Sequence, residues 1–232
     1  MKYRNLMFDL DDTLLDFDAA EHMALPQIFD LYNFPLNEER HEVYRRINFG
    51  LWRDLEEGLV TRDELMSTRF ALTFAHFGLD INGREADEKY RELLTDCKVF
   101  VEGAYEVIEE LSQHFNLYIA SNGVTATQHK RLHVTGLMPF FKHVIVSEET
   151  GTQKPFEPFF HYAFERIENF RPEETLMIGD SLTADIAGGN RVGIDTCWLN
   201  WRSKENTTPH QPTYEIKKLA DLHALLRVKT TV

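Results

Sequence analysis

Asp9 and Asp11 stand two residues apart behind the apolar run Asn5–Phe8, within a stretch, FDLDDTLLDFD, that crowds five aspartates into Phe8–Asp18. Side chains at that spacing point the same way at the end of a strand. Three other places in the chain supply groups suited to the same site: Ser121-Asn122-Gly123, Lys154-Pro155, and Gly179-Asp180-Ser181 with Asp185 beyond. Each alone has an ordinary reading as a turn, a solvated lysine or a helix cap. In combination they describe a site. Converging carboxylates disfavour one another, so a cation has to join them. Oxygen ligands without Cys or His suit a hard divalent ion, usually magnesium retaining several waters. A calcium loop is excluded, because Thr13 and Leu14 occupy its required Asp/Asn and Gly positions.

The elements that must carry these groups are legible. Short apolar runs recur at Asn5–Phe8, Leu117–Ala120, His143–Val146, Thr175–Ile178 and Thr196–Leu199. Helix-period segments lie between them. Val107, Ile108, Leu111 and Phe115 share one face, as do Phe160, Ala163, Phe164 and Ile167 within Pro158–Phe170. The alternation predicts a doubly wound, Rossmann-like α/β fold with a parallel sheet covered on both faces. Such sheets bind ligands beyond the carboxyl ends of their strands, where strand order reverses. Asp9 and Asp11 follow the first strand, Ser121-Asn122 the second, Lys154 the third and Asp180 the fourth.

Residues 17–100 break the alternation with helical patterns and no strand, so the expected division is an α/β core of 1–16 and 101–232 with an all-helical cap of 17–100 inserted after the first strand. Thr61-Arg62-Asp63-Glu64 reads as a capping box opening one of the cap helices. A polar loop at Trp201–Pro212 precedes a last helix expected near Glu215–Arg227, and Val228–Val232 is expected to fray.

Composition narrows the function. The 232 residues are 43% hydrophobic and 27% charged, with a formal net charge of −13. That charge, with no basic patch, argues against a nucleic-acid polymer as partner. No apolar h-region follows Met1–Asn5, and no run approaches a bilayer span, so neither a secretory signal nor a membrane partner is expected. Cys97 and Cys197 are isolated and read as reduced core residues of a cytoplasmic protein. His129-Lys130-Arg131-Leu132-His133 has zinc-helix spacing but Lys130 where a catalytic Glu belongs, and Gly188 to Gly193 has P-loop spacing but Ile194 where the lysine belongs. All of these are read as structural.

Asp9-Leu10-Asp11-Asp12-Thr13, Ser121-Asn122, Lys154-Pro155 and Gly179-Asp180 followed by Asp185 resemble, in order, the four motifs of the haloacid dehalogenase-like (HAD-like) hydrolases. The helical segment resembles that superfamily's cap. More narrowly, LDFDAAE, SNGVTATQHKRL, SEETGTQKPFEPFF and GDSLTADIAGGNRVGIDTCWLN look like the YjjG-type pyrimidine 5′-nucleotidase branch. The resemblance implies a phosphomonoester hydrolase in which Asp9 is the nucleophile and forms an aspartyl-phosphate. It makes Asp11 the acid for the leaving alkoxide and then the base for water. A departing halide needs no proton, so Asp11 favours phosphoester chemistry over dehalogenation.

Magnesium is implied on Asp9, the Asp11 carbonyl and Asp180, with Asp185 orienting waters or Lys154, and Ser121, the Asn122 amide and Lys154 on the phosphate oxygens. Two unit charges at ~4 Å repel by about 4 kcal/mol at an effective dielectric of 20, so the cations are needed for Asp9 to approach a phosphate. The cap is expected to close over this edge and choose the leaving group, with Phe17, Phe49 and Trp52 as candidates for contacting a nucleobase. The implied partner is a nucleotide-like phosphomonoester, and monomer and homodimer both stay open. A sugar-phosphate phosphatase or phosphomutase of the same superfamily is the alternative. A phospho-accepting receiver domain is a more distant one, since its long-lived phosphoprotein has little use for Asp11.

Overall fold

The computed structural model describes residues 2–228, so the tail expected to fray falls, apart from Val228, outside the described residues. The chain forms two units. One takes the residues up to Phe17 and again from Lys98, and the other is Asp18–Cys97. Phe17 and residues 98–100 therefore go with the α/β unit, where Leu15 bridges to Phe100.

In chain order, β1 (Asn5–Phe8) is followed by four helices, α1 (Phe17–Leu31), α2 (Glu38–Glu56), α3 (Arg62–His76) and α4 (Gly83–Asp96). Then come α5 (Ala104–Leu111), β2 (Asn116–Ser121), α6 (Thr125–Val134), β3 (Phe141–Val146), the single turn α7 (Ser147–Thr150) and α8 (Glu157–Phe164). The chain continues with β4 (Thr175–Gly179), a π-turn over Leu182–Ile186 leading into α9 (Ala187–Arg191), β5 (Asp195–Leu199), β6 (Tyr214–Ile216) and α10 (Asp221–Leu226).

The six strands form one parallel sheet in the order β3-β2-β1-β4-β5-β6. Successive strand residues face opposite sides, and the two cores follow that period. Leu6, Phe8, Leu117, Ile119, Leu176 and Ile178 pack with Val107, Ile108 and Leu111 of α5 and Leu222 and Leu226 of α10. Met7, Tyr118, Ala120, Ile145 and Met177 pack on the other side with Phe159, Phe160 and Ala163 of α8. Burial on both faces is why these strands read as unbroken apolar runs. Gly188 and Gly189 serve this packing rather than phosphate binding. A Cβ at Gly188 would lie 2.3 Å from the Phe160 ring, and one at Gly189 would lie 2.4 Å from Thr196 Cγ2.

The carboxyl end departs from the sequence expectation. Where a helix near Glu215–Arg227 is expected, Tyr214–Ile216 is a strand parallel to β5, and the helix is only Asp221–Leu226. The open edge of β5 supplies the backbone partners that three residues could not supply themselves, and Ile216 is buried. Asp221 Oδ2 accepts from the amides of Lys217 and Lys218 (both 3.2 Å), which sets the start of α10. Helix α8 likewise stops at Phe164, short of Phe170, although Ile167 is still buried.

In the helical unit, Thr61 and Glu64 form the expected capping box. Glu64 N donates to Thr61 Oγ1 at 3.2 Å and Thr61 N to Glu64 Oε2 at 2.7 Å. Its core is aromatic: Phe29 lies 4.8 Å from Phe74, and Phe70 lies 5.3 Å from both Tyr44 and Tyr90, ring centre to ring centre. The buried Asp87 takes Arg69 Nε at 2.7 Å on one oxygen and Arg91 Nε at 2.7 Å on the other. A buried carboxylate needs such pairing to remain charged.

Candidate active site

Strand order reverses around β1, whose neighbours β2 and β4 lead the chain in opposite directions. Beyond their carboxyl ends the α/β unit gathers Asp9, Asp11, Ser121, Asn122, Lys154, Asp180 and Asp185. Strand ends bring these distant residues to the crevice where such sheets bind ligands.

Lys154 is the hub. Its Nζ donates to Asp9 Oδ1 at 2.7 Å, Asp185 Oδ1 at 2.7 Å and the Ala120 carbonyl at 2.6 Å. An ammonium has three hydrogens, and all three are engaged. Burial works against its charge, but the Asp185 and Asp9 carboxylates outweigh that and hold its pKa above the ordinary lysine value. The N–H donors of Lys154 are thus committed to two carboxylates and a backbone carbonyl. Its backbone is clasped by Asn122, whose Nδ2 donates to Lys154 O at 2.9 Å and whose Oδ1 accepts from Lys154 N at 2.8 Å. The Lys154–Pro155 peptide is cis.

Asp9, Asp180 and Asp185 each place a carboxylate oxygen within 4.8 Å of the others. Burial, then the charges of Asp185, Asp11 and Asp180, push the Asp9 carboxyl well above the usual range against the pull of Lys154. Burial and the charge of Asp185 push Asp180 up to about 7, with Lys204, 3.4 Å away, opposing them. Asp185 is fully buried, and both its oxygens accept from the protein, one from Lys154 and the other from Ser181 N at 3.1 Å. A Cβ on Gly179 would sit 2.1 Å from Asp185 Oδ2, so this carboxylate depends on a glycine at the end of β4. Thr13 Oγ1 accepts from Asp180 N at 3.1 Å and reaches Asp9 Oδ2 at 3.5 Å. Among the described residues Asp9 Oδ2 therefore has only a long contact, whereas Oδ1 is tied to Lys154.

The Asp11 carboxylate turns the other way. Its Oδ2 accepts from Gln128 Nε2 at 2.7 Å, and its Oδ1 is paired with Arg131. Among the described residues the side-chain cluster is therefore Asp9, Asp180 and Asp185, to which the expected backbone carbonyl of Asp11 would be an addition. Asp12 and Asp16 of the opening stretch hold the turn. Asp12 Oδ1 accepts from Phe17 N at 3.1 Å and from Arg202 at 3.0 Å, and Asp16 accepts from Arg202 at 3.2 Å. Of the aromatic candidates, the Phe17 ring lies 5.9 Å from the Arg131 guanidinium carbon. Phe49 and Trp52 belong to α2 of the helical unit, where Phe49 is 72% exposed and Trp52 half-buried.

Sequence reasoning missed Gln128 and Arg131, which bond Asp11, as well as Thr13 and Lys204 around Asp9 and Asp180. A signal for the first pair exists: Gln128 and Arg131 are three apart on the helix that follows Ser121, so they share a face with the motif.

The family model for haloacid dehalogenase-like hydrolases matches residues 3–193. The chain belongs to that family. This HAD-like hydrolase is 44% identical over 223 residues to the pyrimidine 5′-nucleotidase PynA of Streptococcus pneumoniae, covering 96% of this chain and 94% of the relative. It is 31% identical over 226 residues to the pyrimidine 5′-nucleotidase YjjG of Escherichia coli, covering 97% and 99%. These relatives match the branch resemblance seen in the motifs. The crystal structure of the HAD-hydrolase YfnB of Bacillus subtilis, described as bound to magnesium, superposes with a TM-score of 0.93 at 49% identity, covering 98% of this chain and 100% of that one.

The residues of this HAD-like hydrolase fit a magnesium ion. The cluster is all carboxylate, without Cys or His, and burial together with mutual repulsion raises the pKa of two of its members. A hard dication relieves that repulsion. Among the described residues no helix is long and apolar enough to cross a membrane.

Proposed function

We propose that the chain is a magnesium-dependent phosphomonoesterase acting through an aspartyl-phosphate on Asp9, with pyrimidine nucleoside 5′-monophosphates as its substrate class. The observation that carries the chemistry is the unequal use of the Asp9 oxygens. Oδ1 is held by Lys154, while Oδ2, whose one contact among the described residues is Thr13 at 3.5 Å, is open to attack phosphorus. Asp11, on the same strand end, has a separate set of partners and is the second carboxyl a phosphoester needs.

In this reading one oxygen of Asp11 parts from Gln128 or Arg131 to carry a proton, Asp9 Oδ2 attacks phosphorus, the ester P–O bond breaks, and the leaving alkoxide takes that proton. Asp11, now a carboxylate, accepts a proton from water as that water attacks phosphorus. The phosphorus–Asp9 bond then breaks, restoring both carboxyls and releasing inorganic phosphate. Lys154 keeps Asp9 in place and offsets its charge, while the Ser121 hydroxyl and the Asn122 amide hold phosphate oxygens. Asp9 and Asp180, with the carbonyl of Asp11, would hold magnesium. Bound there, the ion supplies the positive charge that lets an anionic nucleophile meet a phosphate dianion. Asp185, committed to Lys154 and Ser181 N, orients rather than ligates.

The nucleotide part of the proposal is supported by the relatives PynA and YjjG, both pyrimidine 5′-nucleotidases by name. Cys97 and Cys197, both buried and neither in a disulfide, favour a cytoplasmic setting. The test is a panel of nucleoside monophosphates and sugar phosphates scored for phosphate release with magnesium. Preference for pyrimidine 5′-monophosphates is expected. Faster release from sugar phosphates would overturn the substrate class.

A further inference from the structure

Two long polar side chains of α6, Gln128 and Arg131, are 1% and 2% exposed. Residues of this kind are rarely buried unless most of their polar atoms have partners, and here Arg131 Nε alone of the two side chains' buried polar atoms has none among the described residues. Their partners here belong to the active site. Gln128 Nε2 donates to Ser121 Oγ at 2.8 Å as well as to Asp11 Oδ2 at 2.7 Å. Arg131 donates to Gln128 Oε1 at 3.1 Å and is paired with Asp11 Oδ1. A guanidinium only donates, so the amide oxygen must face Arg131 and the amide nitrogen must face Ser121 and Asp11. Arg131 therefore sets the orientation of Gln128.

The consequence falls on Ser121. Its Oγ accepts from Gln128 Nε2 and also from Gly123 N at 3.1 Å. A hydroxyl has two lone pairs and one hydrogen. With both lone pairs engaged, only donation remains, and no acceptor among the described residues takes that hydrogen. The oxygens of a phosphate ester only accept. The local fold also makes room for this arrangement. A Cβ on Gly123 would lie 2.4 Å from Gln128 Nε2 and 2.8 Å from its Cγ. Gly123 has no positive φ, so the glycine is required here for space.

We propose that Gln128, oriented by Arg131, is a positioning residue that commits the Ser121 hydroxyl to donate to the substrate's phosphate while fixing the carboxylate of Asp11. The inference rests on reading the site as one for phosphomonoesters. It also ties the first and second motifs through a helix that neither includes.

The decisive variant is Gln128→Glu, which keeps the shape and replaces the donor by an acceptor. The carboxylate takes the hydrogen of Ser121 and turns it from the phosphate. Inorganic phosphate, titrated calorimetrically with magnesium present, is expected to bind about tenfold or more weakly, the size of one lost hydrogen bond to a charged group. KM should rise in parallel. In a Ser121→Ala background, Gln128→Ala should change phosphate affinity less than about twofold, because its route to the phosphate is gone. Should Gln128→Glu fail to fold, Gln128→Met and Gly123→Ala carry the same titration.

Unchanged phosphate affinity in these variants, or losses at Gln128 and Ser121 that simply multiply, would overturn the inference. Wild-type protein that binds phosphate but hydrolyses nothing would sink the proposed activity and leave this inference standing. Wild-type protein that binds no phosphate would sink both.

Discussion

Replacing Lys154 by methionine removes the cation that three acceptors share while keeping most of the side chain's volume. Asp9 Oδ1, Asp185 Oδ1 and the Ala120 carbonyl all lose their donor, and Asp185 is fully buried. Breaking a buried ion pair by deleting one partner costs about 3–5 kcal/mol. For domains of this size each kcal/mol moves the melting temperature by about 2–4 °C, so a fall of about 6–20 °C is expected. The sign of its pH dependence is fixed. Without Lys154 the Asp9 carboxyl, already pushed up by burial, loses the charge that pulls it down, so the folded protein holds a proton that the unfolded chain releases, and the deficit grows as pH rises from 5 to 8. Adding Asp185→Asn removes a carboxylate that Lys154 neutralised and should restore part of the stability but none of the turnover. The assay is thermal unfolding in metal-free buffer at three pH values, with and without the second substitution. A Lys154→Met protein melting within about 2 °C of wild type at pH 8 would refute the hub role of this lysine.

Three further outcomes are expected. Gly179→Ala drives a Cβ to within 2.1 Å of Asp185 Oδ2, so the carboxylate must shift, and half-saturating magnesium should rise about 10–100-fold in an activity titration. In metal-free protein Asp180, raised from 3.8 to about 7 by burial and Asp185, binds its proton more tightly folded than unfolded. Stability should therefore be fully present near pH 4 and fall as pH rises toward 7, by up to a few kcal/mol, and saturating magnesium should flatten the trend. Asp11→Asn should lose far more rate with an alkyl phosphate than with an aryl phosphate, whose leaving group needs no proton. With the aryl ester, rapid-mixing experiments should show a burst of phenol followed by slow turnover.

The sheet was legible because its strands are buried on both faces and stand out as apolar runs between helical periods, as with Leu6-Met7-Phe8 and Leu176-Met177-Ile178. Tyr214–Ile216 escaped notice because its strand character comes from the edge of β5 and not from its own three residues. The reactive acids were legible because crowded carboxylates at strand ends are costly without a purpose. Gln128 and Arg131 were not, since on sequence alone they look like the solvated face of α6. Lys154 was foreseen, but its commitment to Asp9, Asp185 and Ala120 O is a matter of three-dimensional geometry that spacing does not encode.

The most direct measurement is to trap the phosphorylated protein. Wild type and Asp11→Asn, mixed with a phosphate-labelled aryl ester and quenched in acid, are digested and the label located by mass spectrometry. Label on the peptide bearing Asp9, formed only with magnesium and absent from Asp9→Asn, is expected. Undiminished turnover with label on another residue, or with none in either protein, would contradict an Asp9 nucleophile.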